Sequence, residues 1–431
     1  MDAIAIAPVL LVVLFAFLGL GVWVAISLLA VGFVALAGFT NTPPGLILAN
    51  QVWSNMASWT LTALPLFIWM GEILFRSRVS SDLFKGLSPW LHWFPGQLLH
   101  VNVVGSGIFA AFSGSSSATC AMVGKVSLPE LEHRNYPLKL AIGSLAGSST
   151  LGLLIPPSII MIVYGVASDV SIARLFVAGI LPGLMLMAIF SSYIAIWSLT
   201  HRDSLPRETE RTTLVERLVL GRHMLPAISL IVIVIGSIYG GIATPTEAAA
   251  LGVMGALALA ALSGLLSWSA FWDGLMGAML TSTMILFIVA GAAFLTAGLG
   301  FTGVPRAIVI WVSSMEVSAT GLLIILTLVF LVLGCFIDGI SIVVLTAAVL
   351  LPVVQAAGID LLWFGIYLVL VVELSMITPP VGFNLFILQG LTGLPIGKIA
   401  MATMPFFLLM ILAVALLILF PQIVTFLPSL M

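Results

Sequence analysis

Phe112-Ser113-Gly114-Ser115-Ser116-Ser117-Ala118-Thr119 interrupts an apolar stretch, with Ile108-Phe109-Ala110-Ala111 before it and Ala121-Met122-Val123 after it. Five hydroxyls and a glycine are poor choices for a buried helix interior. Glycine costs roughly 1 kcal/mol of helix stability against alanine. Serine hydroxyls compete for the backbone hydrogen bonds that a helix needs. At membrane depth a polar, irregular backbone persists only where protein or a watery cavity surrounds it. Such a break turns carbonyls and hydroxyls toward a ligand, as in the discontinuous segments of many carriers. The stretch therefore reads as the tip of a re-entrant hairpin. The competing reading is a small-residue face for close helix packing.

The rest of the chain supplies the membrane. Of 431 residues, 61% are hydrophobic and only 7% charged, far below the share that a soluble domain carries. Apolar runs of spanning length recur from end to end, without the short alternating segments of an outer-membrane barrel, so the spans are helical. Residues 4–38 read as a first span that is retained rather than cleaved, since no basic segment precedes them. The two cysteines, Cys120 and Cys335, imply neither a disulfide framework nor a thiolate metal site. The five histidines lie at loops and span ends without metal-ligand spacing. No Gly-rich phosphate loop ending in Lys-Ser/Thr occurs, and Gly105-Ser106-Gly107 is too weak a motif to bind a nucleotide. The 14 Lys and Arg are too few for nucleic-acid binding.

Their placement is informative. Six lie between residues 76 and 139 (Arg76, Arg78, Lys85, Lys125, Arg134, Lys139) and five between 202 and 222 (Arg202, Arg207, Arg211, Arg217, Arg222). By the positive-inside rule these segments face the cytoplasm. With Arg76 and Lys125 on one side, residues 97–125 enter and leave by the same face, which is a hairpin. Residues 53–75 span, residues 77–95 read as interfacial, and Leu128–Pro137 reads as a polar turn. Residues 138–167 span discontinuously, because Pro156-Pro157 removes two backbone donors. Residues 1–200 form a first unit, 201–223 a cytoplasmic linker, and 224–431 an extra span plus a second unit. In that second unit Thr246 is the expected cap of a helix whose first turn holds Glu247.

The two units repeat. Pro129, Pro156, Pro157 and Pro182, moved 223 positions on, fall on Pro352, Pro379, Pro380 and Pro405. Leu66-Phe67-Ile68 and Gly71 answer Leu286-Phe287-Ile288 and Gly291 at an offset of 220. The second hairpin is then residues 320–350 with its tip at Gly334–Gly339, and the second broken helix is 361–391. The first hairpin's base is basic, whereas residues 352–360 contain no Lys or Arg. That charge bias implies inverted topology, with a site where the repeats meet. The fold expected is an all-α polytopic membrane protein of inverted repeats, each with a re-entrant hairpin and a discontinuous helix.

Four pieces should converge. These are tip one (Ser113, Gly114, Ser115, Ser116), break one (Thr150, Gly152, Pro156, Pro157, Ser158), tip two (Gly334, Phe336, Asp338, Gly339) and break two (Ser375, Thr378, Pro379, Gly382, Asn384). Hydroxyl and freed carbonyl oxygens suit Na⁺, and half-helix N-termini suit a carboxylate. Candidate ion ligands are Ser113, Gly114, Ser115, Gly152, Pro156, Gly334, Phe336, Gly339, Ser375, Thr378 and Pro379. Candidate solute contacts are Ser115, Ser116, Ser158, Asp338 and Asn384. Tip one holds no carboxylate to relay a proton, while Asp338 keeps proton coupling open. Asp338 is also in position to cap a helix. Glu373, one turn before break two, reads equally as a functional acid and as a brace for the broken helix. Glu72 and Arg76 are spaced for an ion pair.

At these residues the chain resembles the large membrane subunit of tripartite ATP-independent periplasmic (TRAP) transporters. The resemblance is carried by Phe112-Ser113-Gly114-Ser115, Gly143-Ser144-Leu145-Ala146-Gly147, Gly152-Leu153-Leu154-Ile155-Pro156-Pro157-Ser158, and Leu175 to Gly183. It continues through Tyr239-Gly240-Gly241-Ile242-Ala243-Thr244-Pro245-Thr246-Glu247 and Ile377-Thr378-Pro379-Pro380-Val381-Gly382-Phe383-Asn384. It implies an elevator-type, sodium-driven uptake system for organic acids such as sialic acids or C4-dicarboxylates, in the bacterial inner membrane. It further implies a small membrane subunit as a separate chain and a periplasmic substrate-binding protein. Sodium sites at hairpin tips and helix breaks would map onto the four pieces. The extended Ser115-Ser116-Ser117-Ala118-Thr119 departs from the family pattern. Other readings are a stand-alone sodium/carboxylate or anion carrier of two-hairpin design, a channel and an intramembrane enzyme. A channel would want rings of pore-lining charge, and the tip-one serines have no neighbouring His or Lys in sequence.

Overall fold

Helix ends follow local chemistry throughout this computed structural model, which describes residues 3–77, 79–206, 213–264, 266–379 and 382–431, without the side chains of 79–81. Arg78, Arg207, Arg211, Pro380 and Val381 lie outside the described residues. Residues 4–38 form two helices, α1 (Ala3–Gly19) and α2 (Val24–Phe39), instead of one span. A single helix of that length would run ~50 Å, well beyond a bilayer core of about 30 Å. The expected span 53–75 is also interrupted: α3 (Pro44–Met56) meets a 3₁₀ turn and α4 (Ala63–Phe75) at a 58° bend. Pro44 starts α3, where its missing N–H costs nothing. Then comes α5 (Val79–Leu91), in the stretch expected to be interfacial.

The first hairpin is α6 (Leu99–Ser113) and α7 (Ser116–His133), joined by Gly114 and Ser115. Helix α7 continues through the expected polar turn to His133, with Pro129 in its interior. Break one separates α8 (Leu138–Ser149) and the one-turn α9 (Leu151–Leu154) from α10 (Ile159–Ser168), with a 41° bend and a cis Pro156-Pro157 bond. Helix α11 (Ile172–Thr200) closes the first unit. The linker holds α12 (Leu214–Gly221), capped reciprocally by Thr213 and Glu216. Helices α13 (Leu225–Tyr239) and α14 (Pro245–Leu262) follow. The cap of α14 is Thr244 rather than Thr246: Pro245 takes the first helical position, and Glu247 reaches back to the Thr244 N–H at 2.8 Å.

The second unit comprises α15 (Trp268–Thr302), α16 (Val304–Ser314), the hairpin α17 (Ala319–Leu333) and α18 (Gly339–Ala356), then α19 (Leu361–Met376), α20 (Phe383–Thr392) and α21 (Ile396–Leu419). The repeat holds to the residue: Ser116–His133 moved by 223 falls on Gly339–Ala356, and Leu138 falls on Leu361. Among the described residues, six helices are long and apolar enough to cross a membrane, or up to eight if each bent pair is one span.

Two packed groups result. Helix α15 lies along α2 and α4, with α14 against α4. Helix α19 packs against α9, α10 and α11 of the first unit and against α17, α18, α20 and α21 of the second, and its residues Leu362 to Met376 are all buried. That accounts for its apolar character on every side. Helix α8, packed against α6, α7 and α21, is also buried from Leu140 to Ser149. There the hydroxyls of Ser144, Ser148 and Ser149 donate to carbonyls three or four residues back, and those of Ser144 and Ser149 also accept from the amides of Asn102 and Asn384.

Candidate functional site

Tip one is built by its own hydroxyls. Gly114 ends α6 in the left-handed region (φ +54), which a residue without a Cβ enters freely. Ser115 turns back to extended geometry and caps α7, its Oγ accepting from the Ala118 N–H at 3.4 Å. The Thr119 hydroxyl donates to the Ser115 carbonyl at 2.8 Å, and the Ser113 and Thr119 hydroxyls share a hydrogen bond of 2.8 Å. The tip is thus a closed polar knot in an apolar setting.

Break one lies directly against it. A Cβ on Gly152 would stand 2.6 Å from the backbone of Ser115 and Ser116, so only glycine permits this approach. The Ile159 N–H donates to the Gly114 carbonyl at 3.4 Å, tying α10 to the tip. Glu373 of α19, fully buried, adds a link from the other unit: its carboxylate accepts from the Ser116 hydroxyl and, at 2.9 Å, from the Leu153 N–H.

Tip two differs in composition and matches in role. Asp338 caps α18 by accepting from the N–H groups of Ile340 and Ser341 at 3.1 and 3.2 Å, and from the Ser341 hydroxyl at 2.5 Å. Gly334 packs against the side chain of Ser375, and Phe336 is 78% exposed. At break two the Thr378 hydroxyl donates to the Leu374 carbonyl at 2.7 Å, while the Thr378 carbonyl accepts from the Gly382 N–H at 2.9 Å. The Ser375 hydroxyl donates to the Val372 carbonyl at 2.6 Å.

Both tips line one cavity of about 430 Å³. Ser113, Gly114, Ser115 and Ser116 face Asp338 and Gly339 across it, and Glu72, Thr281 and Met284 of α4 and α15 form the remaining wall. Glu72 pairs with Arg76 at 3.3 Å there, as their spacing led one to expect. Several expected site residues lie off this cavity. Asn384 is buried, donating to the Ser149 hydroxyl at 3.1 Å, with its Oδ1 unpartnered. The Ser158 hydroxyl is buried and unpartnered, and Gly152, Pro156, Gly334, Phe336, Ser375, Thr378 and Pro379 are also absent from the lining. The sequence reading passed over Thr119, Leu153 and Thr281. Only Thr119 had a local signal, its place in the hydroxyl cluster.

The polar side chains that line the cavity are the hydroxyls of Ser113, Ser115, Ser116, Ser117 and Thr281 and the carboxylates of Asp338 and Glu72. Among the described residues no group of three or more His, Cys, Asp or Glu is placed to hold a metal ion.

A many-helix membrane protein with two hairpin-bearing units and a shared central cavity has the build of a secondary transporter. Solved structures agree on the fold: the Alcanivorax borkumensis YdaH transporter matches with a TM-score of 0.60 at 14% identity over 86% of each chain. The Neisseria gonorrhoeae efflux pump MtrF matches with a TM-score of 0.55 at 12% identity, over 85% of this chain and 82% of that one. The sequence gives the family: residues 11–423 match the model of the tripartite ATP-independent periplasmic transporter, DctM component, and the chain belongs to that family of large permease subunits. It is 34% identical over 383 residues to the C4-dicarboxylate TRAP transporter large permease protein of Pseudomonas aeruginosa, covering 89% of this chain and 87% of that one. It is 32% identical over 403 residues to the ectoine/5-hydroxyectoine large permease of Ruegeria pomeroyi, covering 93% and 92%. It is a multi-pass membrane transporter subunit and not an enzyme.

Proposed function

We propose that this chain is the membrane-crossing subunit of a sodium-driven uptake system for a small organic acid or zwitterion. The observation that carries the reading is the single cavity walled by both hairpin tips, with Ser113–Ser117 on one side and Asp338–Ile340 on the other. Hydroxyls and helix N-termini meet there, and a sodium ion bound with a carboxylate solute satisfies both kinds of group. The cavity lies between the hairpin-bearing core and helices α4 and α15. A second cavity of about 460 Å³ occurs along the same division, lined by Gln51, Asn55, Asp169 and Gln355. Openings at two places along one dividing surface support an elevator motion, in which the core slides past α4 and α15.

In this reading the subunit works in the bacterial inner membrane with a small membrane subunit and a periplasmic binding protein that delivers the solute. Relatives named for C4-dicarboxylates and for ectoine narrow the solutes to try first, with sialic acids as a third class. The test is uptake into proteoliposomes holding this chain with both partners, under an inward sodium gradient. Sodium-activated accumulation of one of these solutes supports the reading. Uptake indifferent to sodium contradicts it, and full uptake without either partner favours a stand-alone carrier.

A further inference from the structure

The sodium and solute contacts above make no use of Glu373, yet among the described residues it is the one acid that is fully buried, with no exposed surface. An ionisable side chain at membrane depth is costly and is rarely kept for packing alone. Its three hydrogen bonds all go to the first repeat, although Glu373 belongs to the second. The Ser116 hydroxyl donates to both carboxylate oxygens, and the Leu153 N–H donates to Oε1 at 2.9 Å. Ser116 is the first residue of α7, directly after the tip. Leu153 lies in α9, directly before the Pro156-Pro157 break. One side chain therefore pins tip one to break one, at the place where Gly152 lets the two backbones touch.

The repeat has no second copy of this clamp. The position 223 residues before Glu373 is Thr150, whose hydroxyl donates to the Gly147 carbonyl at 2.6 Å within its own helix. The partner equivalent to Ser116 is Gly339, which has no side chain to offer. Asp338 at tip two directs its carboxylate to its own helix N-terminus. Tip one is held by the opposite repeat, whereas tip two is held locally.

We infer that Glu373 is a positioning residue for a sodium site at tip one. It fixes the oxygens of Ser113 and Ser115 against break one and does not touch the ion itself. The inference rests on the sodium-coupled reading above. Because the role is to accept from two donors, the Ser116 hydroxyl and the Leu153 N–H, at a set distance, Glu373→Gln keeps most of it and Glu373→Asp, one methylene shorter, does not.

The experiment measures the sodium concentration for half-maximal uptake in proteoliposomes holding the complete complex, together with the sodium-induced rise in melting temperature of the detergent-purified chain, against choline chloride. For Glu373→Asp the half-maximal sodium concentration should rise about tenfold, the effect of leaving one buried donor without its partner, with the maximal rate little changed. The melting-temperature response to sodium should weaken in step, and Glu373→Gln should stay near wild type in both measurements. A merely structural role would lower the maximal rate or the yield and leave the half-maximal sodium concentration alone. An unshifted Glu373→Asp in a sodium-activated system overturns the assignment. A Glu373→Gln variant as impaired as Glu373→Asp also overturns it, since the charge would then be a direct ligand. A wild-type complex indifferent to sodium overturns the sodium reading, and this assignment with it.

Discussion

Ser115 and Asp338 stand 223 residues apart and hold the same place: each is the N-cap of the second helix of its hairpin, and both line the central cavity. The cap is needed because the first N–H groups of a helix have no partner within it. In lipid, water is not present to supply one. The two repeats meet the same requirement with different chemistry. Ser115 satisfies one N–H, and Asp338 satisfies two together with a hydroxyl.

This equivalence predicts the behaviour of cap variants. Asp338→Ala should cost the start of α18 about 1 kcal/mol, and Asp338→Asn only a few tenths, because both Asp and Asn cap well. Hydrogen exchange at Ile340 and Ser341 in detergent reads it directly. Several-fold faster exchange is expected in the alanine variant and near wild-type protection in the asparagine variant.

Gly152 should tolerate no side chain. Its substitution by alanine places a Cβ against the Ser115–Ser116 backbone, and forced overpacking of this kind costs about 1–3 kcal/mol. Gly152→Ala is expected to lower the melting temperature and to abolish most sodium-activated uptake. Gly397, where a Cβ meets nothing within 4 Å, should accept alanine with neither effect.

Ser115→Ala and Thr378→Ala address two candidate ion ligands, one at tip one on the cavity and one at break two away from its lining. Thr378 bridges break two, donating to Leu374 and accepting from Gly382. Each variant is expected to raise the sodium concentration for half-maximal uptake by about tenfold, the scale of leaving one buried polar group without its partner. Unchanged sodium activation in both would remove the ion from the tips and breaks.

The cavity makes a labelling prediction. In a background lacking Cys120 and Cys335, Ser117→Cys should react with a polar maleimide, because Ser117 is half-buried and lines the cavity. Asn384→Cys should not react, because Asn384 is buried away from it. Reaction rates of the two variants in inside-out vesicles provide the comparison.

How far these features were legible depends on whether their cause is local. The tips and breaks announce themselves, since Gly114 beside four serines and Pro156-Pro157 are each incompatible with a continuous helix. The repeat was legible from proline positions alone, and the structure aligns Ser116–His133 with Gly339–Ala356 as that offset requires. The division of residues 4–38 was not, because hydropathy does not register a turn as apolar as Gly19-Leu20-Gly21. The 58° bend before α4 was missed for a similar reason, as no proline marks residues 57–58. Thr244 was passed over as a cap although Pro245 at the first helical position and Glu247 at the third both pointed to it. The partners of Glu373 were out of reach, since Ser116 lies 257 residues away and only the folded chain brings them together.

The central claim is that two broken hairpins meet at one cavity, and a cryo-electron microscopy map of the purified complex in sodium buffer tests it most directly. The account predicts helix breaks at Gly114–Ser115 and at Gly334–Asp338, with the two tips facing across a shared cavity. Continuous helices through either place, or tips separated by packed side chains, would contradict it.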